Sequence, residues 1–414
     1  MKKLTALITA AAAVLFLAVP TFAKVPVADE SYYTRFRGQG KTLNVHNWGE
    51  YIANGSDDSM NVVKEFEELT GITVNYTTFS TNEEVYARLR NGGSNYDLLI
   101  PSDYMIARMI REGMLEKLDF TNIPNFKNVD PSFLKPVFDP TGEYSVPYTW
   151  GTVGIIYNKQ MVDPEDLGSW DILWNQKYLG EILMFANPRD DFGIALKRLG
   201  YPMNPENEHQ LTLATEELKE QKPLVQAYVM DEVFDKMIGG EAALAPYYAG
   251  DALTMMADNP DLDFFVPQEG TNRFVDSMVI PKDSRNKEGA EMFMNFILEA
   301  EVGASNIEYI GYSSPNDAAL AVLPKEITEN PIAYPPEDVI AKTEFWRDLP
   351  PELNLAVDAA WTEVLSSDEQ YSRWLVPVFL LLAVGASITI NVTRSRRKRR
   401  ERGLGNHNHK KLRF

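Results

Sequence analysis

Between Lys41 and Val364 the chain alternates two kinds of hydrophobic pattern. Leu43–Trp48 reads as a strand, with Leu43 and Val45 alternating with polar residues. Val63, Phe66 and Leu69 then recur at helical spacing, and Gly71 ends that helix. Ile72–Tyr76 is the next expected strand, and Glu83–Arg90 the next helix, with Val85 and Leu89 on one face. Tyr96–Ile100 is a continuous apolar run of the kind buried on both faces. Pro101 and Ser102, the latter a candidate N-cap, lead into a helix carrying Tyr104, Ile106, Met109 and Ile110. The pattern continues with strands at Gly154–Tyr157, Trp170–Trp174, Glu181–Phe185, Ala242–Tyr248 and Phe274–Ile280. Helices are expected at Phe192–Leu199 and after Asn286, with Met292, Phe293, Phe296 and Ile297 inward. Strands alternating with helices predict an α/β fold with a parallel sheet, whose ligand sites lie at the carboxyl ends of strands. No fixed-period repeat and no long flexible linker divides this body.

Both ends of the chain read as targeting segments. Lys2 and Lys3 precede an apolar stretch from Leu4 to Val19, and small residues stand before a cut after Ala23, so residues 1–23 are expected to be a secretory signal peptide. Near the other end, residues 374–392 contain no charge and are long enough for one membrane span. Tyr371 and Trp374 stand at one edge, and a basic cluster from Arg394 stands at the other. The expectation is a single transmembrane helix, with the tail 393–414 cytoplasmic and the body outside.

Composition narrows the chemistry. The net charge of −19 conceals an asymmetry: residues 4–393 hold 28 basic and 58 acidic side chains. So acidic a body is unsuited to nucleic acid. There is no cysteine and there are four histidines, two of them in the tail, which removes disulfides, thiol nucleophiles, a lipidated cysteine and a multi-histidine metal site. No phosphate loop, dinucleotide fingerprint, nucleophile elbow or zinc-protease motif is present. Neither an enzyme nor a cofactor is expected. Aromatic and acidic residues instead gather at or beside strand ends: Trp48, Glu50, Tyr51, Tyr104, Tyr248, Asp251, Phe274 and Asp276. Carboxylates hold ammonium groups and ring faces accept methylene chains and attract cations, so this set suits an organic cation with an aliphatic chain.

Six ordered motifs carry a resemblance. They are Asn47-Trp48-Gly49-Glu50-Tyr51; Tyr96-Asp97-Leu98-Leu99-Ile100-Pro101-Ser102-Asp103-Tyr104; Ser145-Val146-Pro147-Tyr148-Thr149-Trp150-Gly151; Phe274-Val275-Asp276-Ser277; Ile310-Gly311-Tyr312-Ser313-Ser314-Pro315-Asn316; and Tyr334-Pro335-Pro336-Glu337-Asp338. From Lys41 to Val364 the chain resembles the periplasmic spermidine/putrescine-binding proteins of polyamine ABC transporters. The resemblance implies a type II periplasmic-binding-protein fold: two α/β lobes joined by two crossings, closing over the ligand. One lobe would be 41–151 with 275–313, the other 152–274 with 314–366.

The resemblance also implies site roles. Trp48, Tyr51, Tyr104 and Tyr312 match aromatic walls, Glu50 an acid at an amine end, and Asp276 the central carboxylate. Tyr248 and Phe274 take positions of other aromatics, and Asp251 that of an acid in putrescine-preferring members. Three positions depart from the pattern. Asn187 replaces Asp, Asp190 replaces Glu and Arg347 replaces Gln. An arginine aimed at a polycation is repulsive, so Arg347 is expected either to pair with Asp190 or a neighbour, or to accommodate a ligand bearing a carboxylate.

The implied function is capture of a polyamine outside the cytoplasm and delivery to the permease subunits of an ABC transporter. The resemblance does not extend to 374–414; the tether is expected from the apolar stretch, and a monomeric ectodomain is the default expectation. Two alternatives stay open: the same fold binding another small amine or amino-acid-like solute, and a polyamine-sensing receptor ectodomain.

Overall fold

A computed structural model describes residues 25–367, apart from 57 and 93. The expected signal peptide, transmembrane segment and basic tail lie outside these residues. Among the described residues, no helix is long and apolar enough to cross a membrane. The chain divides into two compact units. The first takes in residues up to Gly151, Ala249–Thr254 and Phe274–Pro336; the second takes in Thr152–Tyr248, Met255–Arg273 and the residues from Glu337 onward. Two stretches group otherwise than the resemblance implied, because Ala249–Thr254 and residues 314–336 fall in the first unit. Local packing explains both. The face of Gly250 lies against the Tyr312 ring so closely that a Cβ there would fall 2.2 Å from it. Ser313 and Ser314 are bonded to the Ala333 carbonyl and the Tyr334 hydroxyl.

Among the described residues ten strands occur in chain order: β1 (Thr42–Trp48), β2 (Thr73–Phe79), β3 (Leu98–Leu99), β4 (Ser145–Asn158), β5 (Ile182–Phe185), β6 (Val225–Val229), β7 (Leu244–Tyr248), β8 (Leu262–Phe265), β9 (Thr271–Val279) and β10 (Thr343–Glu344). In the first unit β1 pairs in parallel with β2 and β3, and β3 pairs antiparallel with β9 through Leu99 and Val279. In the second, β4 pairs antiparallel with β7 and β8, β5 pairs in parallel with β6 and β7, and β10 lies parallel to the start of β9. The sheets are therefore mixed, not parallel as the alternation predicted. Hydrophobic period does not carry strand direction, and β4, β7, β8 and β9 run against neighbours that are distant in sequence.

Each unit has its own core. In the first, Leu43, Val45, Leu98 and Val279 lie under the helices Val62–Thr70 and Lys287–Ile297, whose Phe66, Phe293 and Phe296 rings meet at 5.0 and 5.5 Å. In the second, Ile155, Leu183, Phe185 and Tyr247 are sealed by the helix Pro188–Arg198.

Several sequence expectations are corrected. Trp170–Trp174 is a 3-10 helix, not a strand. Ser169 caps it at the Asp171 N–H, and the indole N–H groups of Trp170 and Trp174 anchor on the carbonyls of Gly270 and Glu217. The run Tyr96–Ile100 contributes only Leu98 and Leu99, because the Asp97 carboxylate, rather than a carbonyl, takes the Asn44 N–H. The second strand is shifted outward, to Thr73–Phe79. The helix expected from Phe192 starts at Pro188, with Asn187 as its N-cap: proline at the first helical position lacks only an N–H that has no partner there anyway. Ser102 stands at the N-cap of Asp103–Arg111 but makes no capping bond.

Residues 25–40, ahead of the expected fold, are docked. Tyr33 is fully buried and donates to Glu299 Oε1 at 2.6 Å, while the Ala28 N–H donates to Oε2 at 3.0 Å and Asn295 donates to the Tyr33 hydroxyl. Replacing Glu299 with Ala strands the buried Tyr33 hydroxyl and frees the Ala28 N–H. Denaturant unfolding is expected to lose about 1–3 kcal/mol, with faster proteolysis ahead of Lys41. Unchanged stability and cleavage would show that the segment is held by packing alone.

Candidate functional site

The first unit builds its chemistry where β1 ends. Asn47 Nδ2 and the Tyr148 hydroxyl both donate to the Tyr51 carbonyl, at 3.2 and 2.6 Å. Asn306 donates to the Tyr148 hydroxyl and accepts from the Ala53 N–H. The turn they hold includes Glu50 in the left-handed region at φ 47°, uncommon for a residue with a side chain. Its side chain points to solvent.

The Tyr51 hydroxyl reaches the buried carboxylate of Asp276, donating to Oδ2 at 2.8 Å while sharing a second bond with Thr149. A carboxylate only accepts, so the phenol proton goes to Asp276 and Thr149 donates to the phenol oxygen. Asp276 is 5% exposed, and its Oδ1 makes no hydrogen bond. Burial pushes its carboxyl up to about 6, with the Tyr51 hydroxyl and the neighbouring Ser102 pulling the other way. Burial also raises the Tyr51 phenol well above its usual range, and the Asp276 charge adds to this.

Further rings gather around Tyr51. Tyr51 meets Tyr148 and Tyr312 edge-on, at centroid distances of 5.5 and 4.7 Å, and Phe274 stands 6.1 Å from Tyr312. A Cβ on Gly151 would fall 2.8 Å from Phe274 Cζ, so glycine there admits the ring. Tyr104 is buried, donates to Glu83 Oε1 at 2.9 Å and accepts from Asn82 Nδ2 at 3.1 Å. Trp48 packs on Phe79 at 4.4 Å. Asp251 lies half-buried in the first turn of the helix Ala249–Asp258.

The second unit carries Asn187, Asp190, Tyr248 and Arg347. Asp190 Oδ2 accepts from Asn187 Nδ2 at 2.6 Å and from the Tyr248 hydroxyl at 2.9 Å. Burial, then the Asp190 charge, raises the Tyr248 phenol well above its ordinary value. Asp191, fully buried behind it, accepts from the Phe185 N–H; burial, then Asp190, raises its carboxyl well above the usual carboxylate range. Asn187 thus has two tasks, capping its helix and donating to Asp190.

The expected pairing of Arg347 with Asp190 is not found. The Arg347 side chain is exposed, and the residue is held by its backbone: its N–H donates to Asn204 Oδ1 at 2.8 Å and its carbonyl accepts from Arg189 Nη2 at 3.0 Å. The buried guanidinium is that of Arg189, 5.0 Å from the Trp346 ring centroid. Sequence reading missed Arg189, Asn82, Glu83, Thr149 and Asp191. Thr149 lies inside a recognised motif and was within reach; Asn82 and Glu83 look like any polar start to a helix.

The family of bacterial extracellular solute-binding proteins matches residues 61–335. The spermidine/putrescine-binding periplasmic protein of Salmonella typhimurium is 36% identical over 309 residues, covering 74% of this chain and 87% of its own. The chain belongs to the spermidine/putrescine-binding periplasmic protein family. The putrescine-binding periplasmic protein PotF of Escherichia coli is 31% identical over 345 residues, covering 79% of this chain and 92% of its own. Among solved structures, the spermidine/putrescine ABC transporter substrate-binding protein PotD of Streptococcus pneumoniae is 36% identical with a TM-score of 0.66, covering 78% of this chain and 98% of its own. The family is one of extracytoplasmic solute-binding transporter components, not of enzymes.

Replacing Tyr51 with Phe removes the hydrogen-bond donor to Asp276 and leaves the buried charge less supported. The Asp276 carboxyl, followed by NMR titration, is expected to move upward from about 6. A midpoint that stays or falls would mean that Tyr51 does not stabilise the ionised form.

Proposed function

We propose that this chain captures a polyamine, spermidine or putrescine, outside the cytoplasm and hands it to the permease of an ABC importer. The observation that carries the reading is Asp276: a buried carboxylate with one oxygen lacking a hydrogen bond, beside the rings of Tyr51, Tyr312 and Phe274. That combination answers an alkylammonium group, whose charge needs a counter-ion and whose methylenes need apolar contact. In the second unit Asp190, supported by Asn187 and Tyr248, offers another ammonium the same kind of acceptor. Each unit therefore carries one acceptor of the kind an ammonium group needs. Trp48, Glu50, Tyr104 and Asp251 complete the assigned set.

The test is calorimetric titration with spermidine, putrescine, spermine and an amino-acid panel. Asp276→Asn is expected to weaken polyamine binding about a hundredfold or more, because an ammonium would be buried without its counter-charge. The pH dependence has a definite sign. Below about 6 the free Asp276 carboxyl holds a proton that the ammonium must displace. Affinity is therefore expected to fall as pH drops through 6, approaching about tenfold per unit. An unaltered dissociation constant in the variant, or constant affinity from pH 7 to 5, would refute the assignment.

Residues 1–23 act in this reading as a cleaved signal peptide, and 374–392 as an anchor that keeps the body beside its permease and raises its effective concentration there. Deleting 372–414 is expected to move the protein from membrane to soluble fractions. Retention on the membrane would overturn the anchor while leaving ligand capture intact.

A further inference from the structure

The hydrogen positions around Tyr104 follow from one backbone group. The Ser102 N–H points at Asn82 Oδ1 at 3.1 Å, and an N–H can only donate, so the amide oxygen of Asn82 faces Ser102. Its Nδ2 then faces the Ser102 and Tyr104 hydroxyls, both at 3.1 Å. An amide nitrogen also only donates, so the phenol oxygen accepts there. The single phenol proton goes to Glu83 Oε1, an acceptor 2.9 Å away. With its proton committed, the phenol offers only lone pairs to anything else that approaches.

The location gives this consequence. Glu83 lies in the first turn of the helix Asn82–Arg90, and Tyr104 lies in the first turn of Asp103–Arg111. Helix N-termini are partially positive and repel a cation. A hydroxyl hydrogen turned toward an ammonium would add to that repulsion. A phenol oxygen fixed as an acceptor, backed by a carboxylate, reverses it.

We propose that Glu83 is a positioning residue for ligand recognition: by taking the Tyr104 phenol proton it makes that oxygen an obligate acceptor and biases the first unit toward ligands presenting ammonium N–H groups. Glu83 acts through Tyr104. The inference rests on the polyamine reading above and extends it to a residue outside the assigned set.

A double-mutant cycle tests this, with spermidine and putrescine titrated into wild type, Glu83→Ala, Glu83→Gln, Tyr104→Phe and the Glu83→Ala/Tyr104→Phe double variant. Glu83→Ala is expected to weaken binding about tenfold or more. Glu83→Gln keeps an oxygen that can accept the phenol proton, and is expected to recover most of the loss. In the Tyr104→Phe background, Glu83→Ala is expected to cost nothing further, since no phenol remains to orient. An unchanged dissociation constant in Glu83→Ala overturns the proposal. So does an equal loss in both backgrounds, or a glutamine variant as weak as the alanine one. A readout that needs no variant guards against misfolding. In the wild type, the Tyr104 hydroxyl proton is expected to show an NMR contact to the Glu83 methylene protons, and its absence from that position overturns the assignment. Wild-type protein that takes up no polyamine refutes the functional reading, and this inference with it. Wild-type binding with an indifferent Glu83→Ala refutes only this inference.

Discussion

Removing a carboxylate from water is costly unless other groups replace the lost hydration. Asp276 is one point in the first unit where that cost is met only in part. Tyr51 serves one oxygen; the other has no hydrogen bond, and the carboxyl titrates far above its ordinary value. Much of the surrounding structure keeps Tyr51 in place. Asn47 and Tyr148 hold its carbonyl, Thr149 donates to its hydroxyl, and Tyr312 stands against its ring. In the proposed reading, an incoming cation would supply the partner that this buried carboxylate lacks.

The second unit repeats the device with different residues. Asp190 also accepts a tyrosine hydroxyl, from Tyr248, and adds the amide of Asn187. Asn187 departs from the family pattern, yet the structure gives it two definite tasks. An aspartate in its place would cap the same helix but would set a second negative charge against Asp190. Asparagine exchanges that repulsion for a donor to Asp190, which is buried, as Asp191 next to it is.

Arg347 shows how a residue that looks disruptive in the sequence can be harmless in the fold. Its backbone bonds to Arg189 and Asn204, and the residue is exposed. The guanidinium that needed explaining was the buried one of Arg189, stacked on Trp346, which no spacing rule singled out.

Local pattern determined a great deal here. Helical and strand periods located Thr42–Trp48, Val62–Thr70, Asn82–Arg90 and Lys287–Ile297 within a residue or two, because burial of one face imposes its period on the chain. Aromatic and acidic residues at strand ends were legible as candidates for a site, since ligands of α/β sheets bind at the carboxyl ends of strands. Strand direction and the 3-10 turn at Trp170–Trp174 were not legible, because both depend on partners a hundred or more residues away for β9 and the Trp170 indole. The proton positions were equally hidden. That Tyr51 donates to Asp276 and Tyr104 to Glu83 follows from which oxygen or nitrogen each neighbour presents. Residue type says only that a phenol has one proton; the tertiary structure decides where it points.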